Sequence, residues 1–336
     1  LKKNGVDVIL IGRQNHVEVI KKNGLFISGI DEFNVRVNAS SNPLDARGSD
    51  LLVITTKAYD TRKALSDIAP ILNDNVTVIS LQNGAGNIEE ISNLVDEKNI
   101  IGAVTSMGAF LENPGRVQFR GKGTTLIGPV SEENKNAKEI VKIFNSAGIN
   151  AELTNDIKSE IWSKVIINSA INNLASILDG ENGILLNETL IEIVKEITAE
   201  GKTILQKQGI DISDDIFEKT VDVIKNTSKN INSTLSDLRK GKRTEIDYIS
   251  GKIIELGDKL NMPASYNKAL FSMIKYKENK TYICFGFTRH NSYYFEGFLN
   301  FIIIDNMYLI DVNILLKNYK EYFNILIENK YIEQLD

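Results

Sequence analysis

Four short, uninterrupted apolar runs constrain this chain more than any other feature: "VDVILIG" (6–12), "DLLVITTK" (50–57), "VTVISLQ" (76–82) and "IIGAVTS" (100–106). Each is rich in β-branched residues and shows no polar alternation. A strand apolar on both faces is one covered on both faces, as in a parallel sheet flanked by helices. The segments 60–72 and 87–96 between the runs carry helical patterning. Strand, helix and strand in repetition predict a doubly wound α/β unit. The glycine-punctuated stretch "NPGRVQFRGKGTTLIG" (113–128) predicts an antiparallel extension at the sheet edge. A helix over 131–146 and a short strand near 150–154 would close the unit.

From about residue 157 the strand signals stop. Segments 157–178, 187–209, 214–228, 233–260 and 264–279 all favour helix. In "TEIDYISGKIIELGDKL", Ile246, Ile249, Ile253, Leu256 and Leu260 fall at offsets of 0, 3, 7, 10 and 14, one face of a helix. A length of 336 residues accommodates roughly two domains of ~150 residues. The expected fold is therefore an α/β, Rossmann-like doubly wound sheet over residues 1–156, followed by an all-α domain over 157–280. Composition changes again after Lys280, where the last 56 residues hold 13 of the chain's 25 aromatics with weak periodicity. To this tail, 281–336, no role is assigned.

The charge balance narrows the possible partners. With 39 Lys+Arg against 44 Asp+Glu the net charge is -5, which argues against nucleic acid or an anionic membrane surface. The most apolar window, "FLNFIIIDNMYLIDVNILL", is interrupted by Asp305 and Asp311, each costly in lipid. No signal peptide is expected, because "VILIG" is too short for its apolar region. A single cysteine, Cys284, excludes an intrachain disulfide and suits a reducing cytoplasm. With only two histidines, His16 and His290, no metal site is expected.

The residues that suggest chemistry begin with "IWSKVIINSAIN" (161–172). Lys164, Asn168 and Asn172 recur every four residues, and at about 100° per residue they share one stripe of a helix. A solvent-facing edge would more usually carry Glu, Lys or Gln, because Asn lowers helix propensity. A stripe with one acid and two donor–acceptor amides suits binding and protonating a small polar molecule. In "RTEIDYI" (243–249), Glu245 lies four residues before Ile249 and so borders an apolar face, which would raise its pKa. If it reaches Lys164, the two form an acid pair; otherwise Glu245 serves the helix dipole. Ser233, twelve residues earlier, reads equally well as a helix N-cap. Three further residues follow strands: Arg13 after "VDVILIG", Lys57 at the end of "DLLVITTK", and Asn83 after "VTVISLQ". Ligands of open α/β sheets bind beyond the carboxyl ends of the strands, and an Arg after the second strand suits the 2′-phosphate of NADP. The G-x-G-x-x-G turn expected one helix before "VDVILIG" does not occur there, and "NGAGN" and "GKG" lie in the wrong context to replace it.

These segments together resemble the ketopantoate reductase family from residue 1 to about 280. The resemblance rests on "GVDVILIGR", "TTKAYDT", "LQNGAGN", "GAVTSMGA", "NPGRV", "WSKVIINSAIN", "NSTLSDLRKGKRTEIDYISG" and "MPASYNKALFSMIK". It implies a cytoplasmic oxidoreductase that uses NADP and a small-molecule substrate, 2-dehydropantoate, in pantothenate biosynthesis; a homodimer is compatible with it. Lys164 matches the family's proposed general acid and Glu245 the glutamate that assists it. Asn168, Asn172 and Ser233 match residues that hold the pantoate skeleton. Asn83 matches an asparagine touching cofactor and substrate, and Arg13 and Lys57 match basic residues near the adenosine phosphate. Phe119 stands where the family often has a histidine. Without the glycine-rich turn and its strand, the expectation is an N-terminally truncated member with an unrelated tail and a sheet lacking its central strand. The alternatives are an inactive remnant or a reductase of a related 2-keto acid.

Overall fold

The computed structural model describes residues 1–279, and the tail (281–336) lies outside the described residues. The four apolar runs become strands β1 (Ile9–Ile11), β5 (Leu51–Ile54), β6 (Thr77–Ser80) and β7 (Ile100–Thr105). Strands β5, β6 and β7 pair in parallel, as their two-sided apolarity requires, and β6 is buried along its whole length. β10 (Thr125–Pro129) joins β7 antiparallel, and β11 (Ala151–Leu153) extends β10, giving the order β11-β10-β7-β6-β5. The expected edge extension is thus observed, and the helix of 131–146 is α4 (Ala137–Ser146).

Residues 25–40 gave no strand signal, yet they form β2 (Leu25–Gly29), β3 (Phe33–Val35) and β4 (Asn38–Ser40). β2 and β3 combine with the hairpin β8 (Gly108–Asn113) and β9 (Arg116–Gly121) in a second sheet of order β3-β2-β9-β8. Its strands are only half-buried, so their hydrophobic patterning is weak. β1 pairs in parallel with β4 alone, and among the described residues no ladder joins β1 to β5. Ile11 and Val53, one on each of those strands, are exposed. Helices α1 (Gln14–Asn23), α2 (Thr61–Ile68) and α3 (Asn87–Ser92) follow β1, β5 and β6.

The helical half begins at α5 (Ile157–Ile177), whose start is fixed by Asp156 accepting from the Ser159 N–H. At its far end the Lys277 ammonium donates to the Ser176 and Ile177 carbonyls, in the turn where the helix stops. The helix is buried over most of its length, so its amphipathic signal is weak although it is the core of the domain. Val165 and Ile166 pack with Ile204, Leu205 and Ile253, while Ala170, Ile171 and Leu174 pack with Val194 and Ile197. Each such aliphatic side chain contributes about 1.5–3 kcal/mol by its burial. α6 (Glu188–Lys207) presses its Gly201 against Ile166, where an added Cβ would stand 3.1 Å from a side-chain carbon. α7 (Ile216–Asn226), α8 (Ser233–Arg239), α9 (Ser250–Lys259) and α10 (Ser265–Asn279) complete the bundle. No helix among the described residues is long and apolar enough to cross a membrane.

One expected helix is broken. The segment 233–260 divides into α8, a 3-10 turn (Ile246–Tyr248) and α9. Gly241 takes φ +59 and Ile249 takes φ -106, ψ -98, neither of which a continuous helix allows. Ile246 and Ile253 are nevertheless both fully buried, so the apolar spacing reported the core correctly and the helix wrongly.

Candidate active site

The carboxyl ends of β5, β6 and β7 deliver Lys57, Asn83 and Thr105 to one edge of the sheet, where α5 crosses. Lys164 on α5 meets two of them. Its ammonium donates to Asn83 Oδ1 at 2.7 Å and to the Thr105 carbonyl at 2.8 Å. A lysine ammonium has three N–H donors; the third has no acceptor among the described residues. Asn83 must turn its oxygen toward a group that can only donate, which leaves its Nδ2 without a protein acceptor among the described residues. The loop carrying Asn83 is fixed from the helical half, because Ala85 N–H donates to the Tyr248 carbonyl at 2.9 Å. Gly84 makes that docking possible. It takes φ +85, and an added Cβ would lie 2.7 Å from Tyr248 Cβ and 2.8 Å from its carbonyl oxygen.

Burial pushes the Lys164 amine down to about 8, and the negative charge of Glu245 partly opposes this shift. Such a lysine remains mostly protonated at neutral pH but releases its proton far more readily than a solvated one.

Glu245 is 5% exposed and does not contact Lys164, contrary to one of its expected arrangements. Its carboxylate accepts from Lys57 Nζ and from the Ala58 N–H, both at 2.9 Å. Nor does it ride on the helix of Ile249; it precedes the 3-10 turn, where the chain leaves helical geometry. Its influence on Lys164 is therefore exerted by its charge through space. Lys57, expected near the adenosine phosphate, pairs with two carboxylates. Its ammonium lies between Asp237 and Glu245, each at 2.9 Å. Burial alone would lower its pKa, but the two carboxylates outweigh this and raise it. Arg13, just after β1 at the start of α1, is exposed and has no carboxylate partner among the described residues.

Asn168 and Asn172 lie on α5 in line with Lys164, and neither amide has a hydrogen-bond partner among the described residues. Asn172 is only 6% exposed, yet its unpartnered amide atoms are not sealed off and border accessible space. The neighbouring Asn173 behaves differently: fully buried, it donates to Ser250 Oγ at 2.6 Å and serves the core. Ser233 is the first residue of α8, exposed and without a hydrogen bond among the described residues. The cap itself is Asn232, whose side chain accepts from Leu235 N–H. Sequence reasoning did not find Asp237 or Thr105. Asp237 stands one turn after Ser233 and was legible as its helical neighbour, whereas Thr105 contributes a main-chain oxygen, which no side-chain pattern reveals.

The donor set can be tested against a phosphorylated dinucleotide. An exposed arginine just after β1 fits an adenosine 2′-phosphate, and the free donors of Lys164 and Asn83 fit the reacting end.

A largely parallel sheet whose strand ends meet a half-buried lysine on a helical domain defines a two-domain oxidoreductase of the dinucleotide-binding class. Comparison with known proteins narrows this. Residues 1–132 match the model of ketopantoate reductase PanE/ApbA, and residues 156–278 match its C-terminal model. The chain is 40% identical over 277 residues to 2-dehydropantoate 2-reductase of Pyrococcus horikoshii, covering 82% of this chain and 91% of the relative. It is 33% identical over 273 residues to the enzyme of that name from Archaeoglobus fulgidus, covering 81% and 90%. Among solved structures, a PanE/ApbA family ketopantoate reductase from Ralstonia eutropha JMP134 superposes with TM-score 0.78 at 30% identity, covering 83% of this chain and 92% of that one. D-mandelate dehydrogenase in complex with NADH superposes with TM-score 0.77 at 27% identity, covering 82% and 92%. The chain belongs to the ketopantoate reductase family.

Proposed function

We propose that this protein reduces 2-dehydropantoate to pantoate with NADPH, with Lys164 as general acid. The observation that carries the proposal is the Lys164 ammonium, aimed by Asn83 Oδ1 and the Thr105 carbonyl with one N–H left free. NADPH, when bound, supplies hydride to the C2 carbonyl carbon. Lys164 gives its proton to the carbonyl oxygen as alkoxide character develops, and its positive charge stabilises that oxygen until the proton moves. Its lowered pKa eases the transfer, and solvent reprotonates it between turnovers. Asn83 holds the ammonium and offers its own Nδ2 to the substrate. Asn168, Asn172 and Ser233 bind the carboxylate and hydroxyl of the pantoate skeleton. Arg13 holds the 2′-phosphate of NADP. Glu245, through its charge, keeps Lys164 protonated.

In this reading residues 1–156 form the NADP-binding half and 157–280 the substrate half; the chain passes from β11 to α5 between Leu153 and Ile157. A cytoplasmic site of action without a nucleic-acid or membrane partner is supported by the net charge of -5 and the single cysteine.

The test follows NADPH oxidation with 2-dehydropantoate and a panel of other branched and aromatic 2-keto acids. The highest kcat/KM should fall on 2-dehydropantoate. Lys164→Ala should lower kcat about 10²-fold or more, with the NADPH Kd unchanged. Full turnover by that variant refutes the lysine's role, and preference for another keto acid refutes the substrate.

A further inference from the structure

We propose that Glu278, in the last turn of α10, is a positioning residue for this reaction, holding the segment that presents Glu245 to the field of Lys164. The inference rests on the lysine-acid reading above. Glu245 sits between α8 and α9 at the head of a single 3-10 turn, where no α-helical ladder fixes the backbone. Thr244, directly before it, is fully buried. Both donors of Thr244 go to a single atom: its N–H and its hydroxyl donate to Glu278 Oε1 at 2.7 and 2.5 Å. The same hydroxyl oxygen accepts from the Ile246 N–H at 3.2 Å. The residues on both sides of Glu245 are therefore pinned through one carboxylate from another helix.

The charges around this anchor form a closed set. Glu278 Oε2 pairs with Lys275 at 2.8 Å, and Lys275 also reaches Asp247, which pairs with Arg243. On the other side, Glu245 faces Lys57 and the Ala58 N–H, and Lys57 is shared with Asp237. If Glu278 is removed, the Thr244 N–H loses its acceptor inside the protein, and an unpaired buried donor is costly enough to move the segment. Movement of that segment withdraws Glu245 from its place near Lys164 without touching the Arg13 end of the site.

The experiment compares Glu278→Ala and Glu278→Gln in the wild-type and Glu245→Gln backgrounds. Glu278→Ala should lower kcat on the order of 10- to 100-fold, as misplacement of catalytic groups does. It should also shift the alkaline fall of kcat/KM to lower pH and leave the NADPH Kd unchanged. Glu278→Gln keeps an oxygen for Thr244 and should restore most of the activity. In the Glu245→Gln background, Glu278→Ala should add no more than about twofold, because the residue acts through Glu245. An unshifted pH profile, or the same loss in both backgrounds, overturns the proposal. Should Glu278→Ala fail to fold, Thr244→Val, which deletes only the hydroxyl link, takes its place; it should shift the profile in the same direction by less, and an unshifted profile overturns the proposal. The titration of Lys164, read by pH-dependent amine labelling and peptide mass spectrometry, requires no turnover. A wild type without activity whose Lys164 titration still moves on Glu278→Ala refutes the proposed reaction and upholds the positioning role. No movement refutes the role.

Discussion

Raising the pH should extinguish keto-acid reduction well before an ordinary lysine would lose its proton. The Lys164 amine titrates at about 8 against its usual 10.5, a difference worth about 3 kcal/mol against the ammonium in its folded setting. With kcat/KM for 2-dehydropantoate measured at saturating NADPH, the profile reports the acid of the NADPH-loaded enzyme. From a group titrating at about 8, the protonated fraction is roughly nine-tenths at pH 7 and roughly one-tenth at pH 9, so the rate should fall about tenfold between them. A lysine at 10.5 would lose only about 3% over the same range. Glu245→Gln should move the fall to still lower pH, because the charge it removes favours the ammonium. The same shift has a stability counterpart. The folded pKa lies below the unfolded one, so the penalty is full below pH about 8 and is relieved as pH rises toward 10.5. Lys164→Met should therefore be more stable than wild type at pH 7, by up to about 3 kcal/mol in denaturant unfolding, and the gain should vanish above 10.5. A kcat/KM flat through pH 10, or a Glu245→Gln profile displaced upward, would refute a desolvated Lys164 as the acid.

Other substitutions probe the remaining parts of the site. Arg13→Ala should weaken NADPH binding about 10- to 100-fold in calorimetric titration while leaving NADH binding unchanged, since it removes a charge-assisted contact to the 2′-phosphate alone. Asn172→Ala should lower kcat/KM for the keto acid about tenfold at constant NADPH Kd, the loss of one hydrogen bond in a desolvated wall. Gly84→Ala should cost at least about 1–3 kcal/mol in thermal unfolding, because its φ of +85 and the 2.7 Å approach to Tyr248 leave no room for a side chain. It should also depress turnover by moving Asn83.

Elements with a local signal are legible in the residues themselves. Two-sided apolar runs forced a parallel sheet, because only strands covered on both faces can be apolar on both. The four-residue recurrence of Lys164, Asn168 and Asn172 placed them on one stripe, because helical geometry leaves no alternative. Positions after strands marked Arg13, Lys57 and Asn83, since open parallel sheets bind at those ends. The half-buried strands β2 and β3 escaped notice because their cover comes from distant hairpin strands rather than from their own pattern.

Which charges meet depends on contacts between distant segments. Lys57 and Glu245 are separated by 188 residues, and no periodicity relates them, yet they pair at 2.9 Å. Thr105 enters through its backbone carbonyl, which every residue type possesses. The apolar spacing of 246–260 matched a continuous helix because burial selects side chains whether the backbone is helical or turned. Periodicity records which side chains avoid water; the partner that each buried charge finds, and hence its proton affinity, depends on contacts made between the two halves of the fold.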